Sequence, residues 1–172
     1  MLSESERMTT AHEAGFRIKD PNSKPRAVAV IAIDKASAAI VDQISKEKWH
    51  GAHFFTSLSF STDKSPAEGE SQAMKAWLND LAGRALNLVA EVEKSDFVVV
   101  ITAAGEDARA VSVISDACAM FHKSLLGLVI PQDNTSEADI DHSLGHLRPH
   151  TRMLVVAHGI DYIEVMLTAL RA

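Results

Sequence analysis

Residues 27–33 read AVAVIAI and residues 96–103 read DFVVVITA. These two runs decide the fold. Each is continuously apolar rather than alternating, rich in Val and Ile, and too short for a helix. Each therefore reads as a strand buried on both faces, the kind that lies inside a parallel sheet. The second is the more apolar and belongs at the centre. Further along, residues 53–60 (HFFTSLSF), 125–130 (LLGLVI, stopped by Pro131) and 153–157 (MLVVA) supply three more strands.

Helical spacing fills the intervals. Residues 37–48 place Ala38, Ile40, Val41 and Ile44 on one face, and residues 106–122 do the same with Ala110, Val113, Ile114, Ala117, Met120 and Phe121. Ser136 is an N-cap followed by acidic Glu137 and Asp139, and that helix ends near Gly145 or Arg148, before Pro149. Residues 161–170 close the chain with Ile163, Leu167 and Leu170 inward. The strongest helical stripe is Met74, Trp77, Leu78, Leu81, Ala85, Leu88, Val89 and Val92, which predicts one long helix over residues 70–94, interrupted only by Gly83.

Strict alternation of strand and helix predicts an α/β fold with three layers, Rossmann-like or flavodoxin-like. The expectation is a five-stranded parallel sheet, order 2-1-3-4-5, with helices on both faces and any ligand at the carboxyl ends of the first and third strands. Residues 1–25 carry mixed charge and no period, so they read as an N-terminal arm with one helical turn over residues 8–16. Residues 26–172 form a single domain.

Composition narrows the function classes. The chain has 172 residues, 47% of them hydrophobic and 23% charged, the balance of an ordinary globular domain. Its net charge of -6 and its 5% aromatic content argue against nucleic-acid binding. No apolar run approaches the roughly 20 residues that span a bilayer, and MLSESERMTT lacks the basic start and apolar core of a secretory signal, so a cytoplasmic protein away from membranes is expected. One cysteine, Cys118, leaves no disulfide within the chain.

The topology places five turns on the carboxyl edge, and their polar residues are the candidate ligand-binding set: Asp34, Ser37, Asp63, Thr102, Gly105, Asp107, Asp133 and His158. A phosphate cradle needs glycines there. The first turn, IDKASA, has none, and TAAGEDA has only Gly105, followed by Glu106 and Asp107, which repel an anion. Lys35 and Lys64 compensate in part. The same two carboxylates also read simply as complements of a helix dipole. Both Asp34 and Asp107 fall in loops, where replacement by Ala is expected to change stability within about 0.5 kcal/mol.

Other chemistries find little footing. His142, His146 and His150 repeat at four-residue intervals, but HSLGH lacks the glutamate of HExxH and Pro149 breaks the stripe, so a solvated face is the better reading than a metal site. His50 and His53 fit no metal spacing. No GxSxG elbow occurs, and Cys118 between Ala117 and Ala119 reads as a packing residue. The residues name no cofactor and no catalytic group.

The stretch 27–131 resembles the nucleotide-binding half of the tubulin/FtsZ family. VAVIAIDKASAAIVDQI resembles its first strand, loop and helix, FFTSLSFSTD its second strand, EVEKSDFVVVITAAG the approach to its signature loop, and LLGLVIP the following strand. The resemblance implies the fold of that half. The signature loop GGGTGTG falls on GEDARAV, where only Gly105 matches, so GTP binding, hydrolysis and polymerisation are not implied. Three readings follow: a non-enzymatic binding or interaction module without a phosphate loop; a small-molecule or divalent-metal-dependent enzyme using the acidic edge; and a degenerate tubulin/FtsZ-like nucleotide binder. A homodimer or larger homo-oligomer is also expected. A helix over residues 70–94 would span roughly 37 Å and overhang a sheet roughly 24 Å wide, leaving Trp77 uncovered.

Overall fold

The computed structural model describes residues 24–60 and 72–172. The expected arm, the loop at 61–69 with Asp63 and Lys64, and the first residues of the expected long helix lie outside the described residues, wholly or nearly so. The elements in chain order are β1 (Val28–Ala32), α1 (Lys35–Ile44), β2 (Ala52–Phe60), β3 (Ala76–Asp80), β4 (Ala85–Asn87), α2 (Leu88–Lys94), β5 (Phe97–Ala103), α3 (Val111–Met120), β6 (Ser124–Ile130), α4 (Glu137–Leu147), β7 (Met153–Val156) and α5 (Ile160–Ala169). A 3-10 turn, Gln72–Lys75, leads into β3.

Among the described residues, all strands join one sheet in the order β4-β3-β2-β1-β5-β6-β7. The β1, β2, β5, β6 and β7 ladders are parallel, whereas β3 pairs antiparallel with both β2 and β4. The sheet is therefore mixed and seven-stranded, not the five-stranded all-parallel sheet that the sequence pattern predicts.

Side-chain alternation explains the layers. Val28, Val30 and Ala32 of β1, with Val99 and Ile101 of β5, enter one core with Val41 and Ile44 of α1 and Ile163 and Leu167 of α5. Ala29 and Ile31, with Val98 and Val100, enter the other, against Leu88 and Val92 of α2, Ile114 and Ala117 of α3 and Leu147 of α4. Every residue of β1 is 0% exposed. A strand with both faces apolar needs a helical layer on each side, and this sheet has them.

The long helix does not form. Its stretch contains a turn, two short strands and only the last two turns of the stripe, as α2. The apolar residues also fit a period of two: Ala76 and Leu78 are buried while Trp77 points outward. Turn chemistry between them favours the hairpin. Asp80 Oδ1 accepts from the N–H groups of Ala82 (2.9 Å) and Arg84 (2.8 Å), and Gly83 takes φ +75°. The Arg84 backbone N–H is the main cause of a lowered Asp80 carboxyl pKa. Asn87 then caps α2, accepting from the Ala90 N–H at 3.1 Å. With no overhanging helix, the motive for a homodimer falls away.

Gly83→Ala separates the two structures by sign. A Cβ at Gly83 meets nothing within 4 Å, so only backbone strain acts. The hairpin predicts a loss of about 1 kcal/mol, whereas a helix interior would gain about as much. Urea denaturation of wild type and variant reads the sign.

Candidate functional site

The sheet order reverses between β1 and β5, so the turns after these strands define the edge where ligands of such folds bind. The turn after β1 is closed by Asp34. Its Oδ1 accepts the Ser37 N–H (2.7 Å), and its Oδ2 accepts the Ala103 N–H (3.0 Å) at the end of β5. Ser37 completes a capping box: its Oγ accepts the Asp34 N–H at 3.2 Å and donates to the Asp34 carbonyl at 3.0 Å. One carboxylate thus caps α1 and ties the β1–α1 turn to the central strand.

The turn after β5 is equally self-contained. The Ala104 N–H donates to the Ile130 carbonyl (2.9 Å), the Gly105 N–H to Ser143 Oγ of α4 (2.9 Å) and the Glu106 N–H to the Ala103 carbonyl (3.2 Å). Gly105 takes φ +87°, and a Cβ there would stand 3.3 Å from Asp139 Cβ, so this loop lies against α4. The start of α3 is folded inward as well: the Val111 N–H donates to the Ala108 carbonyl and the Ser112 N–H to the Arg109 carbonyl. The N–H groups of Ser37, Ala103, Ala104, Gly105 and Glu106, which could line an anion cradle, already have protein acceptors.

The candidate residues therefore divide. Asp34 and Ser37 meet at the β1/β5 reversal as a structural clamp, and Gly105 is tied separately to Ser143 of α4. Thr102 is fully buried at the end of β5. Asp107 is exposed and bound by Arg109, whose Nη2 lies 2.6 Å from Oδ2. That hydrogen bond, chiefly, holds the Asp107 carboxyl well below the usual carboxylate range, with a smaller contribution from His146. Asp133 and His158 are exposed in two further turns, and Asp63 lies outside the described residues. Among the described residues, no group of three or more His, Cys, Asp or Glu side chains could hold a metal ion. His142 and His146 sit together on α4 with ring centroids 4.7 Å apart, while His150 lies beyond the helix end. Cys118 is buried, which pushes its thiol up to about 12.

Sequence reasoning missed the clamp itself. A D-x-x-S box immediately after a buried strand was its local signal, but the bond from Asp34 to Ala103 spans 69 residues and only topology creates it. Ser143, the partner of Gly105, was likewise unmarked: it lies mid-helix and is fully buried.

In sequence the chain matches no protein-family model and no curated protein. In structure it is similar to the translation elongation factor SelB of Methanococcus maripaludis in complex with the GTP analogue GppNHp. The TM-score is 0.51 at 9% identity, over 87% of this chain and 34% of that one. The apo form of that factor gives a TM-score of 0.45 at 10% identity, over 85% and 36%. A protein described as pilus assembly-related, from Burkholderia pseudomallei K96243, gives 0.44 at 12% identity, over 89% and 95%. The chain thus spans about a third of the SelB chain, and the likeness is one of fold.

Two measurements follow. Asp34→Ala, which the loop position alone marks as neutral, is now expected to cost roughly 2 kcal/mol, from a lost cap and an orphaned Ala103 N–H. Asp107→Ala, which breaks only a solvent-exposed pair, is expected to leave the midpoint essentially unchanged; urea denaturation compares them. Alkylation of Cys118 by iodoacetamide at pH 8 is expected to be on the order of a thousandfold slower in the native chain than in the unfolded one, since a thiol at about 12 carries far less thiolate than a free one near 8.5. Trapping in urea against buffer checks it.

Proposed function

We propose that this chain is a binding and interaction module of Rossmann-like architecture that works without a phosphate loop and without catalysing a reaction. One observation carries the reading: the Asp34 carboxylate occupies the N–H groups of Ser37 and Ala103 at the β1/β5 reversal. A carboxylate fixed there plays the part a bound anion plays elsewhere, satisfying the start of α1 and joining it to the central strand. A nucleotide phosphate would have to displace it and also approach Glu106 and Asp107, which add negative charge to the same edge. The one thiol, Cys118, is buried and held protonated, so it offers no nucleophile.

The runner-up reading is a degenerate nucleotide binder of the tubulin/FtsZ kind, suggested by the resemblance over residues 27–131. Thermal melting in 1 mM GTP, ATP or GDP, each with Mg²⁺, distinguishes the two. The module reading expects no shift in Tm, because only a ligand of the native state stabilises it. A saturable shift with any nucleotide overturns the reading. Mg²⁺ alone is the third arm, and a shift there favours a metal-dependent activity at the acidic edge.

A further inference from the structure

The opposite pole of the sheet, where the strands begin, has another character. Two clefts open there side by side and share Leu125 and Arg152. The first, about 400 Å³, is walled mainly by Phe97, Leu125, Leu126, Met153 and Leu170. These side chains stand at the starts of β5, β6 and β7 and the end of α5, so the wall is apolar, and Met153 is 47% exposed within it. The second, about 320 Å³, is lined by His122, Lys123, His150 and Arg152, with no carboxylate among its lining residues.

The charge there runs against the molecule. The whole chain carries -6, yet the paired clefts are lined by Arg26, Lys123 and Arg152 against the single carboxylate of Asp96. Asp96 is itself engaged, its Oδ2 accepting the Ala27 N–H at 2.8 Å. The side chains of Arg26, Lys123 and Arg152 have no ion-pair or hydrogen-bond partner among the described residues. Unpartnered cations beside an open apolar wall form a composite surface that neither a purely polar nor a purely apolar ligand fills.

We propose that these joined clefts bind a small phosphate monoester with an apolar body. The phosphate lies between Lys123 and Arg152, where the guanidinium supplies paired donors and the ammonium a point charge. The apolar body lies along Phe97, Leu126 and Met153. Arg152 sits at the junction and fixes the orientation, head toward the histidines and body toward the start of β7. A phosphate with its second pKa near 6 carries close to two negative charges at neutral pH, which suits this density of cations better than a single carboxylate does. The site is remote from Asp34, so it stands or falls independently of the reading given for the carboxyl edge.

Calorimetric titration of the full chain with octyl phosphate below its micelle concentration, joined to amide NMR shifts, tests the site. Saturable one-to-one binding is expected, with shifts at Phe97, Lys123, Leu125 and Met153. Inorganic phosphate and octanol, each presenting half of the ligand, are expected to bind at least tenfold more weakly. Arg152→Gln and Lys123→Gln are each expected to weaken octyl phosphate about tenfold, the loss of one charge-assisted contact. Both side chains are solvent-accessible and make no hydrogen bond or ion pair among the described residues, so Tm should be unchanged. Equal binding of octyltrimethylammonium, unchanged affinity in both variants, or shifts confined to the carboxyl edge would each overturn the proposal. So would binding to phosphatidic acid vesicles without binding to monomeric octyl phosphate, which would place the affinity at a bilayer surface.

Discussion

The structure depends on one constraint: β1 and β5 have no polar face. Val28, Val30 and Ala32 face one way and Ala29 and Ile31 the other, all removed from water. Burying an apolar side chain of this size is worth about 1.5–3 kcal/mol, so neither face of these strands can be left to solvent. Two helices on one side and three on the other are the consequence. The parallel ladders follow too, because each crossover must carry the chain across a covered face before the next strand begins.

That arrangement sends the turns after β1 and β5 to the same edge, where the reversal of strand order leaves a crevice. Here the crevice is closed from within. Asp34 reaches from the cap of α1 to the backbone of β5, and Ser143 reaches from α4 to Gly105. A glycine-rich turn would leave those N–H groups free for a ligand; side chains that bond them turn a binding device into a structural one. The acidic residues around it act separately: Asp107 holds Arg109 and Asp139 bonds Ser136. The poles of the sheet are consequently unlike, one acidic and internally satisfied, the other carrying free cations beside an apolar wall.

The hairpin at β3–β4 shows how two periods can share one sequence. Met74, Trp77, Leu78, Leu81 and Ala85 keep a helical spacing, while Ala76 and Leu78 and then Leu86 and Leu88 keep a strand spacing. Local pattern favours the longer match. Asp80, Gly83 and Asn87 form the turn and the cap, but each alone is a small effect against a six-turn stripe. The free edge of β2 tips the balance, since its backbone N–H and C=O groups need a partner and β3 supplies one.

By itself the sequence determined the buried parallel strands, the helices between them, the Ser136 cap of α4 and the absence of a glycine cradle. These are consequences of apolar periodicity and of residue types at single turns, which act over a few residues. The number of strands, the direction of β3 and β4, and the roles of Asp34 and Ser143 were decided only in the tertiary structure. So were the neighbouring clefts that bring Arg26, Lys123, Arg152 and Met153 to one pole. Each depends on groups far apart in the chain meeting across the sheet, and no local period encodes which distant hydrogen-bond partner or charge a folded backbone will bring within reach.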